Sequence, residues 1–173
     1  VWVDTIKEGR FNNMNKIFEK PKKFDLHITD KNAKINSIII LDTIKGYKWL
    51  DKNPTSQMLG RFQPFHKGHL KLFEKALLLN GQVAIYVKSV TNIGDNPFTF
   101  SQVKKSIDTL LYKKFKYRYK VVKAPNINNI CYGRKVGYEI NYINLPRNIQ
   151  KISATKIRKL LRSQGKLKKL KIN

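Results

Sequence analysis

The sequence predicts an α/β fold: a parallel sheet with helices on both faces, preceded by a short N-terminal extension. Three observations predict it. Val83-Ala84-Ile85-Tyr86-Val87 is a continuous apolar run, the signature of a strand buried on both faces of a parallel sheet. Immediately before it, Leu70, Phe73, Ala76 and Leu77 recur at three- and four-residue spacing and stop at Asn80-Gly81, as an amphipathic helix does. Before that helix, Met58-Leu59 in Ser56–Gly60 reads as a short buried strand ending at a glycine turn. Strand, helix and strand in close succession are the repeating unit of such sheets.

The remaining elements follow in order. Asp51-Lys52-Asn53-Pro54 is a polar, proline-bearing joint, which divides the chain into an N-terminal extension, 1–54, and a main domain, 55–173. Within the main domain, helix 69–80 is followed by strand 82–88. Thr99 with Gln102 forms a capping-box pattern, and Val103, Ile107, Leu110 and Leu111 give the helix behind it a buried stripe. Aromatic and basic residues alternate over 115–121, which predicts a half-buried strand. Residues 138–145 alternate as well, with Tyr138, Ile140, Tyr142 and Asn144 on one side. Ser153 is placed to cap a last helix with Ala154, Ile157, Leu160 and Leu161 on its apolar face, ended by Gly165. No repeat of twenty to fifty residues is present, so a solenoid is not expected.

Composition bounds the function. A chain of 173 residues with 41% apolar content can build a real core. No apolar run reaches membrane-span length, and the first residues lack a basic-then-apolar leader, so a soluble, cytoplasmic protein without membrane partners is expected. The chain opens on Val1 rather than Met, the pattern of a processed form or of a piece of a longer product. Cys131 has no disulfide partner, and with only His27, His66 and His69 beside it no Cys/His zinc cluster can form; any metal must be held by oxygens. Thirty-six Lys and Arg against eleven Asp and Glu give a net charge of +25, a field that draws phosphates, nucleotides or nucleic acid. A genome biased toward A and T, rich in Lys, Asn and Ile codons, explains the same charge without any ligand.

Chemistry concentrates in Gly60-Arg61-Phe62-Gln63-Pro64-Phe65-His66-Lys67-Gly68-His69, the turn from the first strand into the first helix. His66 and His69 are nearly one helical turn apart, so both imidazoles can face one point at a helix start, where free backbone N–H groups and the dipole favour an anion. Gly60 and Gly68 allow a tight turn and a close ligand approach, and Pro64 stiffens the link between them. A second helix start, Ile152-Ser153-Ala154-Thr155-Lys156-Ile157-Arg158, offers hydroxyls and cations. Ser153 and Thr155 can donate to phosphate oxygens, and Lys156 and Arg158 can neutralise phosphate charge. Lys88 ends the second strand, where open parallel sheets bind ligands.

The ten-residue phrase resembles the HxGH signature of the nucleotidyltransferase superfamily (cytidylyltransferase-like), and its wording is similar to that of archaeal-type nicotinamide mononucleotide adenylyltransferases. Asn96-Pro97-Phe98-Thr99 resembles the loop opening the next helix in those enzymes, and residues 152–158 resemble their ISxTxxR segment. The resemblance implies a Rossmann-like fold and transfer of AMP from Mg-ATP to an anionic acceptor, nicotinamide mononucleotide or another phosphate ester. By residue it implies His66, His69 and Arg158 as the catalytic set. Gly60, Arg61, Phe62, Gly68, Lys88, Ser153, Thr155 and Lys156 would bind the nucleotide, and Mg²⁺ would be carried by its phosphates. A homo-oligomer is compatible with this reading.

The pattern departs from the family at the acceptor side. Gln102-Val103 stands where an acidic-basic pair is usual, and both tryptophans, Trp2 and Trp49, lie upstream of the main domain. Residues 147–153 lack the Arg-Thr-Glu-Gly-Ile-Ser phrase of cytidylyltransferases, which favours ATP over CTP. Gly133-Arg134-Lys135-Val136-Gly137-Tyr138 is similar to the Gly-Arg loop of sulfate adenylyltransferases. Residues 1–5 and 18–28 resemble the closing segment of adenylylsulfate-kinase-like proteins, without their phosphate loop. Plainer readings stand beside each feature. Ser153 is a helix cap in any case, Lys88 an ordinary exposed lysine, and Tyr117 and Tyr119 part of a half-buried strand rather than a nucleic-acid stacking platform. A non-catalytic basic protein binding nucleic acid is the alternative of another class. The chain is too short for a class I aminoacyl-tRNA synthetase, which shares an HxGH-like turn.

Overall fold

The computed structural model describes residues 32–131, 133, 134, 137 and 139–168. The chain divides into two compact units, Val1–Tyr47 and Lys48–Asn173. In the first, the described part is helix α1 (Ala33–Lys45). Asn32 caps it by accepting the N–H groups of Lys34 (3.1 Å) and Ile35 (3.3 Å), and Gly46 ends it at φ +68°. Ile35 and Ile39, one turn apart, are both buried. Residues 1–31, with the kinase-like resemblance, lie outside the described residues.

The second unit runs β1 (Ser56–Gly60), α2 (Lys67–Asn80), β2 (Val83–Lys88), α3 (Phe100–Phe115), β3 (Tyr119–Ala124), α4 (Arg147–Gln150) and α5 (Ala154–Ser163). Its three strands form one sheet in the order β1-β2-β3, all parallel, with Val83 opposite Ser56 on one side and Tyr119 on the other. This is the expected α/β architecture, a parallel sheet flanked by helices. Val83, Ile85 and Val87 of the central strand are buried while Ala84, Tyr86 and Lys88 are half-buried, so one face of β2 is the more thoroughly covered. Phe73 of α2 is fully buried and packs against Phe115 at the end of α3 (ring centroids 5.2 Å) and edge-on to Tyr119 of β3 (6.1 Å).

Two expected strands need correction. Phe115 belongs to α3, not to the start of a strand: with Val103, Ile107 and Leu111 it forms a buried row at four-residue spacing. Helical phase therefore wins over the short aromatic-basic alternation, and β3 begins only at Tyr119. Over its described part, 139–145, the alternation expected for 138–145 builds no strand. Residues 139–146 have no regular structure, and Ile140 and Tyr142 are 75% and 90% exposed, because an alternating segment needs a sheet edge to bond and a layer to cover it. Tyr138 lies outside the described residues. Thr99 and Gln102 do cap α3 reciprocally, and Gly165 follows α5 at φ +68°. Among the described residues no helix is long and apolar enough to cross a membrane.

Segment 48–54 is tied to the sheet by Lys120 of β3, which bonds Asp51 (2.7 Å), and by a buried amide. Gln82, fully buried just before β2, donates from Nε2 to the carbonyls of Leu50 (2.8 Å) and Asn53 (3.3 Å) and to Thr55 Oγ1 (2.6 Å). A buried amide with no partner costs its full desolvation, so these bonds fix the path into β1. Ser56 anchors the other side, donating to the Ala76 carbonyl of α2 (2.7 Å) and accepting from Asn80 Nδ2 (3.0 Å). Gln82→Leu, close in volume but unable to bond, is expected to cost about 2–3 kcal/mol in urea denaturation. A loss below about 0.5 kcal/mol, the level of an ordinary surface change, would show that water replaces the amide at no cost.

Candidate active site

The turn from β1 into α2 carries the two histidines, and they hold each other. His66 is the N-cap of α2, with extended backbone at φ −143°. Its Nδ1 accepts the Gly68 N–H (3.1 Å), while its own N–H donates to Nδ1 of His69 (3.3 Å). This is the reciprocal bonding of a capping box, built from two imidazoles instead of a hydroxyl and a carboxylate. The rings stack at 3.8 Å between centroids and 22° between planes. The free Gly68 amide expected at this helix start is thus already taken by His66. An added Cβ on Gly68 would stand 3.0 Å from the His66 ring and 3.6 Å from the Ile149 carbonyl of α4, so a larger residue would have to push the His66 ring aside.

Behind the rings lies an aromatic backing. Phe62 meets His69 edge-on (5.1 Å, 87°), and Phe65 packs against both, 5.2 Å from His69 and 5.6 Å from Phe62. Both phenylalanines are buried. Burial disfavours the imidazolium, so His69 is pushed down to about 3, with the neighbouring His66 adding to the effect. Burial also lowers His66, to a smaller extent. Both rings are neutral at pH 7. With each Nδ1 accepting a backbone N–H, the proton of the neutral ring resides on Nε2.

Three further bonds fix the turn to its surroundings. The Gln63 side chain is buried and pairs with the backbone of Phe98 in both directions, Nε2 donating to the carbonyl and Oε1 accepting the N–H, each at 2.8 Å. The Phe65 N–H donates to Ser106 Oγ of α3 (3.4 Å). From α5, Arg158 donates through NH1 to the Gln63 carbonyl, through Nε to Asp95 (2.9 Å) and through NH2 to Thr155 Oγ1 (3.2 Å). Asp95 also accepts from Arg162, one turn further along α5. The Arg162 bond first, then Arg158, hold the Asp95 carboxyl below its ordinary value against the opposing effect of burial.

The structure therefore shows two hydrogen-bonded groups, His66 with Gly68 and His69, and Arg158 with Thr155, the second bonded to the turn at the Gln63 carbonyl. Arg158 is 8% exposed, and three of its N–H groups serve protein acceptors, so it acts as a brace as well as a cation beside the turn. Gly60 lies beneath the Phe62 ring, where a Cβ would come within 2.9 Å. Phe62, expected at the nucleotide, has a ring committed to packing and a backbone held at φ +49°. Ser153 is the N-cap of α5, yet its hydroxyl makes no bond to the first turn. Arg61 and Lys156 are exposed and stay outside these two groups. Lys88, at the end of β2, donates to Asn128 (3.3 Å). Gly133 and Arg134 are exposed, while Lys135, Val136 and Tyr138 lie outside the described residues.

Sequence reasoning missed Gln63, Phe65, Asp95 and Arg162. Gln63 and Phe65 stood inside the motif, but only position in space shows which loop they serve. Asp95 carried the better signal, as one of only eleven acids in a chain of +25 and beside the Asn96-Pro97 turn.

Residues 58–127 match the family described as Cytidylyltransferase-like. The nicotinamide-nucleotide adenylyltransferase of Thermoplasma acidophilum is 34% identical over 79 residues, 44% of this chain and 44% of that protein. Proteins of the same name from Thermoplasma volcanium (33% over 73 residues, 41% of each chain) and Picrophilus torridus (31% over 74 residues, 42% of this chain and 44% of that one) are similar to a comparable degree. The chain spans less than half the length of these relatives. Residues 58–127, which carry the parallel strands and the paired-histidine turn, are thus similar to the Cytidylyltransferase-like family and distantly similar to the archaeal adenylyltransferases.

Proposed function

We propose that the second unit is an adenylyltransferase that moves AMP from Mg-ATP to a small anionic acceptor and releases pyrophosphate. The observation that carries this reading is the reciprocal bonding of His66 and His69. Ionised phosphate oxygens only accept hydrogen bonds, and two neutral imidazoles whose Nδ1 atoms are used in the cap keep Nε2–H as a donor. The start of α5, whose Ser153 hydroxyl is not engaged with its own helix, offers a second set of donors. Arg158 and Thr155 join that start to the turn through Gln63.

The reaction asks little more of the protein. An ionised acceptor oxygen attacks the α-phosphorus in line, the new P–O bond forms, and the bond to the β-phosphate oxygen breaks with its electron pair leaving on pyrophosphate. No base is needed, so positioning and charge stabilisation carry the rate. Asp95, the carboxylate beside the turn, has both oxygens bonded to arginines, and the described residues hold no group of three acidic, His or Cys side chains suited to a metal. Mg²⁺ would be carried by the phosphates of the nucleotide substrate. The name of the similar proteins makes nicotinamide mononucleotide the first acceptor to try, ahead of sulfate and of other phosphate esters.

Incubation with Mg-ATP and each acceptor separately, with pyrophosphate measured, is expected to give turnover with nicotinamide mononucleotide or a phosphate ester. His69→Ala is expected to lower kcat by about 10²–10³, the loss typical of one well-placed donor. Absence of pyrophosphate with every acceptor, together with a salt-steep polynucleotide affinity that survives His69→Ala, would instead make the protein a nucleic-acid binder.

The histidines also set a pH dependence. Between the ordinary value of 6.5 and about 3, the unfolded chain protonates His69 while the folded chain does not. The unfolded state then binds more protons, so stability falls as pH falls through that window and is fully present above 6.5. Thermal denaturation at pH 7 and pH 5 should show this decline, and His69→Asn should flatten it. Ring ¹⁵N resonances should report the Nε2–H tautomer of His69 at both values; an imidazolium at pH 5 would contradict the buried arrangement.

A further inference from the structure

We infer that Asp95 is a positioning residue for this site, its carboxylate fixing the register of α5 against the histidine turn; the inference rests on the reading just proposed. Asp95 lies in the loop between β2 and α3. Its two oxygens accept from different turns of one helix, Oδ2 from Arg158 Nε (2.9 Å) and Oδ1 from Arg162 NH2. Two grips one helical turn apart restrain both the rotation of α5 and its movement along its axis, which a single bond does not.

The same bonds close a ring through the turn. Arg158 passes from Asp95 to the Gln63 carbonyl, the Gln63 side chain pairs with the Phe98 backbone, and three covalent links return from Phe98 to Asp95. Gln63 is three residues before His66, so the ring ties the helix start carrying Ser153 and Thr155 to the helix start carrying the imidazoles. Arg158 and Arg162 side chains are 9% and 13% exposed, so water screens them little. Without the carboxylate, two neighbouring guanidiniums in a chain of +25 would repel one another and loosen α5 from the turn. The separation of the two donor sets is the quantity on which charge stabilisation depends, and an ångström of misplacement can cost about 10²-fold in rate.

The test is Asp95→Asn, which keeps shape and one acceptor but removes the charge, with Asp95→Glu as the conservative variant. Asp95→Asn is expected to lower kcat about 10- to 100-fold with the KM for Mg-ATP changed less than about threefold, since the imidazole donors remain. Asp95→Glu should restore part of kcat. Amide exchange over residues 61–69 and 153–158 should rise together in Asp95→Asn, while residues 83–87 of β2 keep their protection. If Asp95→Asn does not fold, Arg162→Gln decides, with a smaller kcat loss in the same direction and the same exchange pattern. A folded variant with wild-type kcat and wild-type exchange over 61–69 would overturn the inference. Should the wild-type protein turn over no acceptor, the adenylyltransferase reading falls on its own, and the exchange experiment still judges the Asp95 clamp.

Discussion

The site depends on two hydrogen bonds between backbone amides and the Nδ1 atoms of His66 and His69. They terminate α2, lock both rings in one tautomer and press them into a stack against Phe62 and Phe65. Any residue that disturbs this geometry disturbs the helix start at the same time. That explains why the surrounding contacts are so demanding: glycine at 68 because a Cβ would push the ring aside, glycine at 60 because Phe62 lies over it, and Gln63 buried so that its amide can replace a strand-like pairing with Phe98.

The sheet serves the site by placing it. β1 ends at Gly60, and the turn follows directly at the carboxyl end of the strand, where parallel sheets leave room for ligands. β2 ends at Lys88, and the loop behind it supplies Asp95 and the Phe98 backbone. Core packing of Phe73, Phe115 and Tyr119 holds α2 and α3 in place behind these loops. The loops in turn are joined by polar side chains, Gln63 to Phe98 and Asp95 to Arg158 and Arg162.

Much of this was legible in the residues alone. The strands at Ser56–Gly60 and Val83–Lys88, the α2 stripe and the reciprocal cap of Thr99 and Gln102 follow from periodicity and capping chemistry, which are local; the last helix forms behind Ser153, but without a side-chain cap and with Leu160 of its expected apolar face 58% exposed. The failures share one cause. Phe115 joined the helix and 139–146 stayed irregular because alternation over a few residues is weak until a partner edge exists. Within the site the histidines and glycines were legible because their spacing is local. The bonds of Gln63 to Phe98 and of Asp95 to Arg158 and Arg162 span 35, 63 and 67 positions, and no pattern in a single chain announces them.

Helices usually begin on a serine, threonine or aspartate, residues that cap well and do nothing else. Here the capping atoms are the Nδ1 nitrogens of two rings, and the proposed donors would be the other nitrogens of the same rings. On that reading, selection for heat tolerance and selection for turnover would act on one pair of side chains, and neither property could drift far without dragging the other along.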